Sequence, residues 1–210
     1  MSNEIILTIK GPGGKLILNN GYNYHPFEIE INGEKISYKS NSVDLPDETN
    51  IVKLYYNSSL NTFKEMFKGL SDITKIDFSN FDTSNVKDMS KMFNNCGDLE
   101  EINMKGINTS SVTTMESMFQ QCTKLTSLDL SDFVTSSVDN MKNFFSECRK
   151  LKFLDVSNFN TYKVKDMFGM FQCCEEIISI DISNFEMNEV NINAMFSNFI
   201  FNIVIKYYIN

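Results

Sequence analysis

"MFNNC" at 92–96 returns as "MFQQC" at 118–122, "FFSEC" at 144–148 and "MFQCC" at 170–174, so Met92, Met118, Phe144 and Met170 stand 26 residues apart. A catalytic device is needed once. A block written repeatedly at one spacing is architecture, and the period is established before any element is assigned. Outward from these blocks the register holds. Val86, Val112, Val138, Val164 and Val190 keep it, as do Phe81, Ile107, Phe133, Phe159 and Phe185. The stretches "ITKIDFS" (73–79), "LEEINMK" (99–105), "LTSLDLS" (125–131), "LKFLDVS" (151–157) and "IISIDIS" (177–183) share one apolar pattern, and Thr83, Thr109, Thr135 and Thr161 form a further column.

Two periods follow one another inside a unit. Leu128 and Leu130 alternate with Ser127, Asp129 and Ser131, the two-residue period of a short strand with one buried face. Val86, Met89, Phe93 and Cys96 lie at i, i+3, i+7 and i+10, which predicts a short amphipathic helix, with Ser84 or Asn85 as its cap. The expected fold class is therefore an α/β repeat: a leucine-rich-repeat solenoid with a parallel β-sheet on one face and short helices on the other. A unit this small cannot bury its apolar face alone, so Met, Phe and Cys recur because each unit hands the same surface to its neighbours.

The unit "LTSLDLSDFVTSSVDNMKNFFSEC" (125–148) resembles the repeat of the BspA-like leucine-rich surface proteins, and the resemblance covers about residues 60–200. It implies a solenoid on a cell surface, adhesion or partner binding as its work, and no catalytic residues. The expected function is a non-enzymatic interaction or adhesion module that binds on the sheet face, with an intracellular scaffold using the same face as the alternative.

The ends differ in texture. "EIILTIK" (4–10) and "KLILNN" (15–20) flank "GPGG", and "FEIEI" (27–31) and "EKISYK" (34–39) flank Asn32-Gly33, a strong hairpin signal. Residues 1–49 are expected to form a β-rich N-terminal cap, and 50–210 about five to six units finished by the strand "IVIKYYI" (203–209), a candidate for self-association. No secretion leader is visible at Met1, so the resemblance implies a cell-surface or secreted protein, and a native start at Met1 implies a cytoplasmic one.

Composition narrows the classes. A net charge of −8 over 210 residues disfavours nucleic acid and anionic membranes, and no apolar run is long enough to span a bilayer. Cys96, Cys122, Cys148 and Cys174 share one repeat position beside the odd Cys173, which reads as buried thiols rather than a disulfide framework. The single histidine, His25, lies far from every cysteine, so neither a zinc site nor a Cys/His nucleophile is expected, and no metal, cofactor or catalytic residue is assigned.

Binding residues are sought where strand positions face outward. Asp77, Asp129, Asp155 and Asp181 form a column, read either as an acidic strip for a basic partner or a cation, or as carboxylates satisfied by neighbouring Ser hydroxyls and N–H groups. Two residues ahead the column reads Lys75, Glu101, Ser127, Phe153 and Ser179, and Phe153 breaks a polar face. The candidates for binding a protein or surface glycoconjugate are therefore Lys75, Asp77, Glu101, Asp129, Phe153, Asp155 and Asp181.

Overall fold

A computed structural model describes residues 3–198 and 204–206. Among the described residues there are twelve strands: β1 (Glu4–Lys10), β2 (Gly13–Leu16), β3 (Glu28–Ile31), β4 (Glu34–Ser37), β5 (Ser42–Leu45), β6 (Thr49–Tyr55), β7 (Ile73–Asp77), β8 (Glu101–Asn103), β9 (Ser127–Leu128), β10 (Phe153–Leu154), β11 (Ser179–Asp181) and β12 (Val204–Lys206). Among the described residues there is no helix. The α/β leucine-rich-repeat solenoid expected from the sequence is therefore not the architecture of this chain, which is all-β and built from several small sheets.

The reason lies in the backbone around each Met-Phe pair. Lys91, Ser117 and Asn143 take positive φ (57°, 54° and 53°), and Asn95, Gln121 and Glu147 do so four residues on (61°, 63° and 61°). A left-handed residue every few positions forbids a continuous right-handed helix. It suits instead the third position of a β-turn. The turns are closed by Met92 N–H on the Met89 carbonyl (3.3 Å) and Cys96 N–H on the Phe93 carbonyl (3.0 Å). Residues between them donate outward to the next unit: Phe93 N–H to Met118 (2.9 Å), Phe119 N–H to Phe144 (3.0 Å) and Phe145 N–H to Met170 (2.9 Å). Isolated parallel bridges run from Thr62 through Asp88, Thr114, Asn140 and Asp166 to Asn191 in the same direction. The turn side is thus a ladder between units, and it satisfies the N–H groups that a helix would have satisfied internally.

The strand side is shorter and less continuous than one parallel sheet. A six-stranded sheet has the order β4-β3-β6-β1-β7-β8, antiparallel except for β7–β8, and β9–β10 and β11–β12 form separate parallel pairs. β1 lies between β6 and β7, so the N-terminal segment and the first repeat share one sheet. β3 and β4 are joined by Asn32 and Gly33, both at positive φ (50° and 94°), as a two-residue hairpin turn requires. "GPGG" does not make a β1–β2 hairpin, because β2 pairs with β5 instead. Of "IVIKYYI", residues 204–206 form β12, and Ile203 and 207–209 lie outside the described residues.

Between the two sides lies one core. Val86, Met89, Met92, Phe93, Cys96 and Leu99 are fully buried, and so are their counterparts in the next two units. Phe67, Phe93, Phe119, Phe145, Phe171 and Phe196 form a file of stacked rings, with centroids 5.5–6.0 Å apart and nearly parallel planes. Each buried ring contributes roughly 1.5–3 kcal/mol by leaving water. Each offset pair adds about 0.5–1.5 kcal/mol.

Two polar columns are fixed by the same stacking. Cys96 Sγ donates to the Phe67 carbonyl (3.0 Å), Cys122 to Phe93 (3.3 Å), Cys148 to Phe119 (3.1 Å) and Cys174 to Phe145 (3.1 Å). Thr109 Oγ1 donates to the Val134 carbonyl (2.9 Å) and accepts from the Val134 N–H (2.7 Å), and Thr83 and Thr135 repeat that clip on Asn108 and Asn160. With no helix to cap, the threonine column ties unit to unit.

Candidate functional site

The outward residues of β7 to β11 form the surface on which binding was expected, and its columns follow directly from the strand register. Lys75 pairs with Glu101 and Asp77 with Asn103 across β7–β8, and Phe153 faces Ser127 across β9–β10.

The aspartate column is built first from its own chain. Ser131 N–H donates to Asp129 Oδ1 (3.0 Å), Ser157 N–H to Asp155 Oδ1 (2.9 Å), Ser183 N–H to Asp181 Oδ1 (3.0 Å) and Ser79 N–H to Asp77 Oδ1 (2.7 Å). Each is a local turn in which a carboxylate takes the N–H two residues on, and this is what Asp-x-Ser supplies at the end of a short strand. The backbone N–H and hydroxyl of Ser131 hold Asp129 below the usual carboxylate range. The Ser157 hydroxyl and N–H do the same for Asp155, against repulsion from Asp181. At Asp77 burial opposes ionisation, yet the Ser79 hydroxyl and N–H and the Asn103 amide (3.0 Å) outweigh it. Among the described residues, no three His, Cys, Asp or Glu side chains converge so as to hold a metal ion.

The sequence candidates separate into two groups. Lys75 and Glu101 close an ion pair of 2.6 Å beside Asp77, and with both side chains more than half exposed solvent screens most of its attraction. Asp129, Phe153 and Asp155 line one shallow groove farther along the stack. Asp181 ends β11, whose Ser179 lines the same groove. Phe153 is 66% exposed.

Two groove residues escape a reading of the aspartate and phenylalanine columns. Ile178 is 59% exposed beside Phe153, and Lys152 lines the same groove with its charge answered by Glu176 at 3.3 Å. The signal for Ile178 was present: its column reads Thr74, Glu100, Thr126 and Lys152 before turning apolar. Tyr162, on the threonine-bearing turns, is 80% exposed and lies outside the columns that mark the strand face.

The remaining chemistry-bearing groups lie elsewhere. Cys96, Cys122, Cys148 and Cys174 are buried free thiols and Cys173 is half-buried. His25 Nδ1 contacts Tyr38 Oη (2.9 Å) in the N-terminal segment. Among the described residues, no helix is long and apolar enough to cross a membrane.

No curated protein and no solved structure matches the chain. One family model does, over residues 48–105, 61–171 and 98–207, a span that takes in the whole repeated region. On that match the chain belongs to the family described as "Mycoplasma protein of unknown function, DUF285".

Proposed function

We propose that this protein is a non-enzymatic binding module that docks a partner protein on its strand face, at the groove around Phe153. The observation that carries this is the pair Phe153 and Ile178, two large apolar side chains left exposed in adjacent units of an otherwise polar strip. Exposed aromatic and aliphatic groups with polar surroundings mark docking sites more often than chance placement does. The turn ladder beneath them holds the groove in place before any partner arrives, which lowers the ordering cost of binding. The likeness of the repeat to the BspA-like surface-protein unit supports the same function.

A photo-crosslinking residue placed at position 153 in the native cell tests it. The expected result is one discrete protein adduct that disappears with Ile178→Ser and is not formed from position 34, at the far edge of the N-terminal sheet. Absence of an adduct, or equal adducts from both positions, overturns the proposal, and an adduct carrying only glycan replaces the partner protein with a glycoconjugate. Protease treatment of intact cells then separates adhesion at the surface, where the protein is removed, from assembly of an intracellular complex, where it survives until lysis.

A further inference from the structure

We infer that the partner segment seated in the Phe153 groove is basic: an extended stretch in which an apolar residue is followed, two positions on, by Arg or Lys. This deepens the docking function proposed above and rests on it. The groove offers two chemistries in a fixed relation. Phe153 and Ile178 give an apolar floor, and small Ser127 and Ser179 on either side of the ring in its own column leave room for a side chain to lie against it. Two residues along the strand, roughly 7 Å away, stands the aspartate column. Asp129 and Asp155 each spend Oδ1 on their own turn, and among the described residues no Lys or Arg forms an ion pair with either. Lys105 of a preceding unit draws on Asp129 from a distance, and Lys152 is neutralised by Glu176. The charge left for a partner to answer is therefore negative and lies on one side of the ring.

An extended chain repeats its side-chain direction every second residue, at nearly the same spacing. An apolar side chain over Phe153 thus brings the next side chain on that face to the carboxylates. Arg fits this place well, because its planar guanidinium forks onto a carboxylate and can pack against an aromatic face. A partner with Glu at that position meets Asp129 and Asp155 as like charges and is rejected.

The test is a fluorescence-anisotropy titration of the intact protein at low salt with a labelled peptide Gly-Leu-Ser-Arg-Ser-Leu-Ser-Arg-Gly and its counterpart carrying Glu for Arg. The expected result is saturable binding of the Arg peptide alone, weakened about fivefold or more by Asp129→Asn with Asp155→Asn, since each exposed pair is worth up to about 1 kcal/mol. Glu34→Gln with Glu48→Gln, which changes net charge equally at exposed sites in the N-terminal segment, is expected to leave binding within twofold. No binding of the Arg peptide, equal binding of the Glu peptide, or an equal loss in both double variants overturns the inference. Phe153→Ser separates the two levels: if it weakens binding and the aspartate variant does not, the face docks partners but not through basic residues. If neither variant changes binding, the docking function falls as well.

Discussion

One thiol per unit donates to the carbonyl of the phenylalanine in the unit before, so the cysteine column is explained by hydrogen bonding as well as by volume. Serine would offer a stronger donor but would carry a more polar group into the file of rings. Burial pushes Cys96 and Cys174 up to about 12, and Cys122 and Cys148 well above the ordinary thiol value. A group whose folded pKa is raised contributes stability that is complete below its unfolded value, about 8.5, and is lost as pH rises toward the folded value. Within that window each buried thiol costs about 1.4 kcal/mol per pH unit, because the unfolded chain releases a proton that the folded chain keeps. Denaturant unfolding between pH 8.5 and 10.5 is therefore expected to show stability falling with pH. The fall should be shallower by about two proton equivalents in Cys122→Ala with Cys148→Ala. Buried Tyr22 and Tyr56 titrate in the same direction in both proteins and cancel in the comparison. Parallel pH slopes for the two proteins would show that these thiols ionise freely in the folded state.

At the scale of the element, the turn ladder shows why a helix was expected and a helix is absent. Turns closed at i+3 place apolar residues three and four positions apart, which is also the spacing of a helical stripe. The columns of Val86, Met89, Phe93 and Cys96 were legible as buried positions because burial depends on that spacing alone. The backbone beneath them was not legible, since Lys91, Ser117, Gln121 and Glu147 at left-handed positions carry no turn signature, and Asn95 and Asn143 lack the following glycine that makes Asn-Gly plain between β3 and β4. The groove divides the same way. Asp129, Asp155 and Phe153 stand out against a two-residue period, whereas Ile178 sits beside Ile177 at the start of an apolar stretch and stands out only against its column of Thr74, Glu100, Thr126 and Lys152. Gln121, at φ 63°, tests the turn directly. Gln121→Val is expected to lower stability by about 1–2 kcal/mol, because a β-branched side chain resists the left-handed region. Gln121→Gly should cost nothing or raise stability slightly. In a helix the order would be reversed, with glycine the worse of the two, so thermal unfolding of the pair discriminates between the architectures.

For the whole molecule, stability resides in the joints between units. Hydrogen bonds between units join residues 24 to 29 apart, and each internal phenylalanine ring of the file stacks on the ring of the unit before it and the unit after it. Such a stack has no fixed length, because removing one whole unit lets its two neighbours meet through the same surfaces. Deleting residues 113–138 joins Val112 to Asp139, and Val112 and Val138 occupy the same column, so the junction reproduces a native one. Phe93 would then stack on Phe145 and Cys148 would donate to the Phe93 carbonyl, each replacing a partner of the same kind. The shortened protein is expected to unfold cooperatively at a lower temperature, with its remaining buried thiols still protected from alkylation in the native state. Deleting residues 113–125 removes half a period and sets strand positions against the Met-Phe turns, which leaves the inter-unit N–H groups without acceptors. That variant is expected to lose the cooperative transition and to expose its thiols to alkylation. If both deletions unfold alike, the 26-residue register does not govern the fold. If the half-period deletion fails alone, coupling between adjacent units is what holds the molecule together.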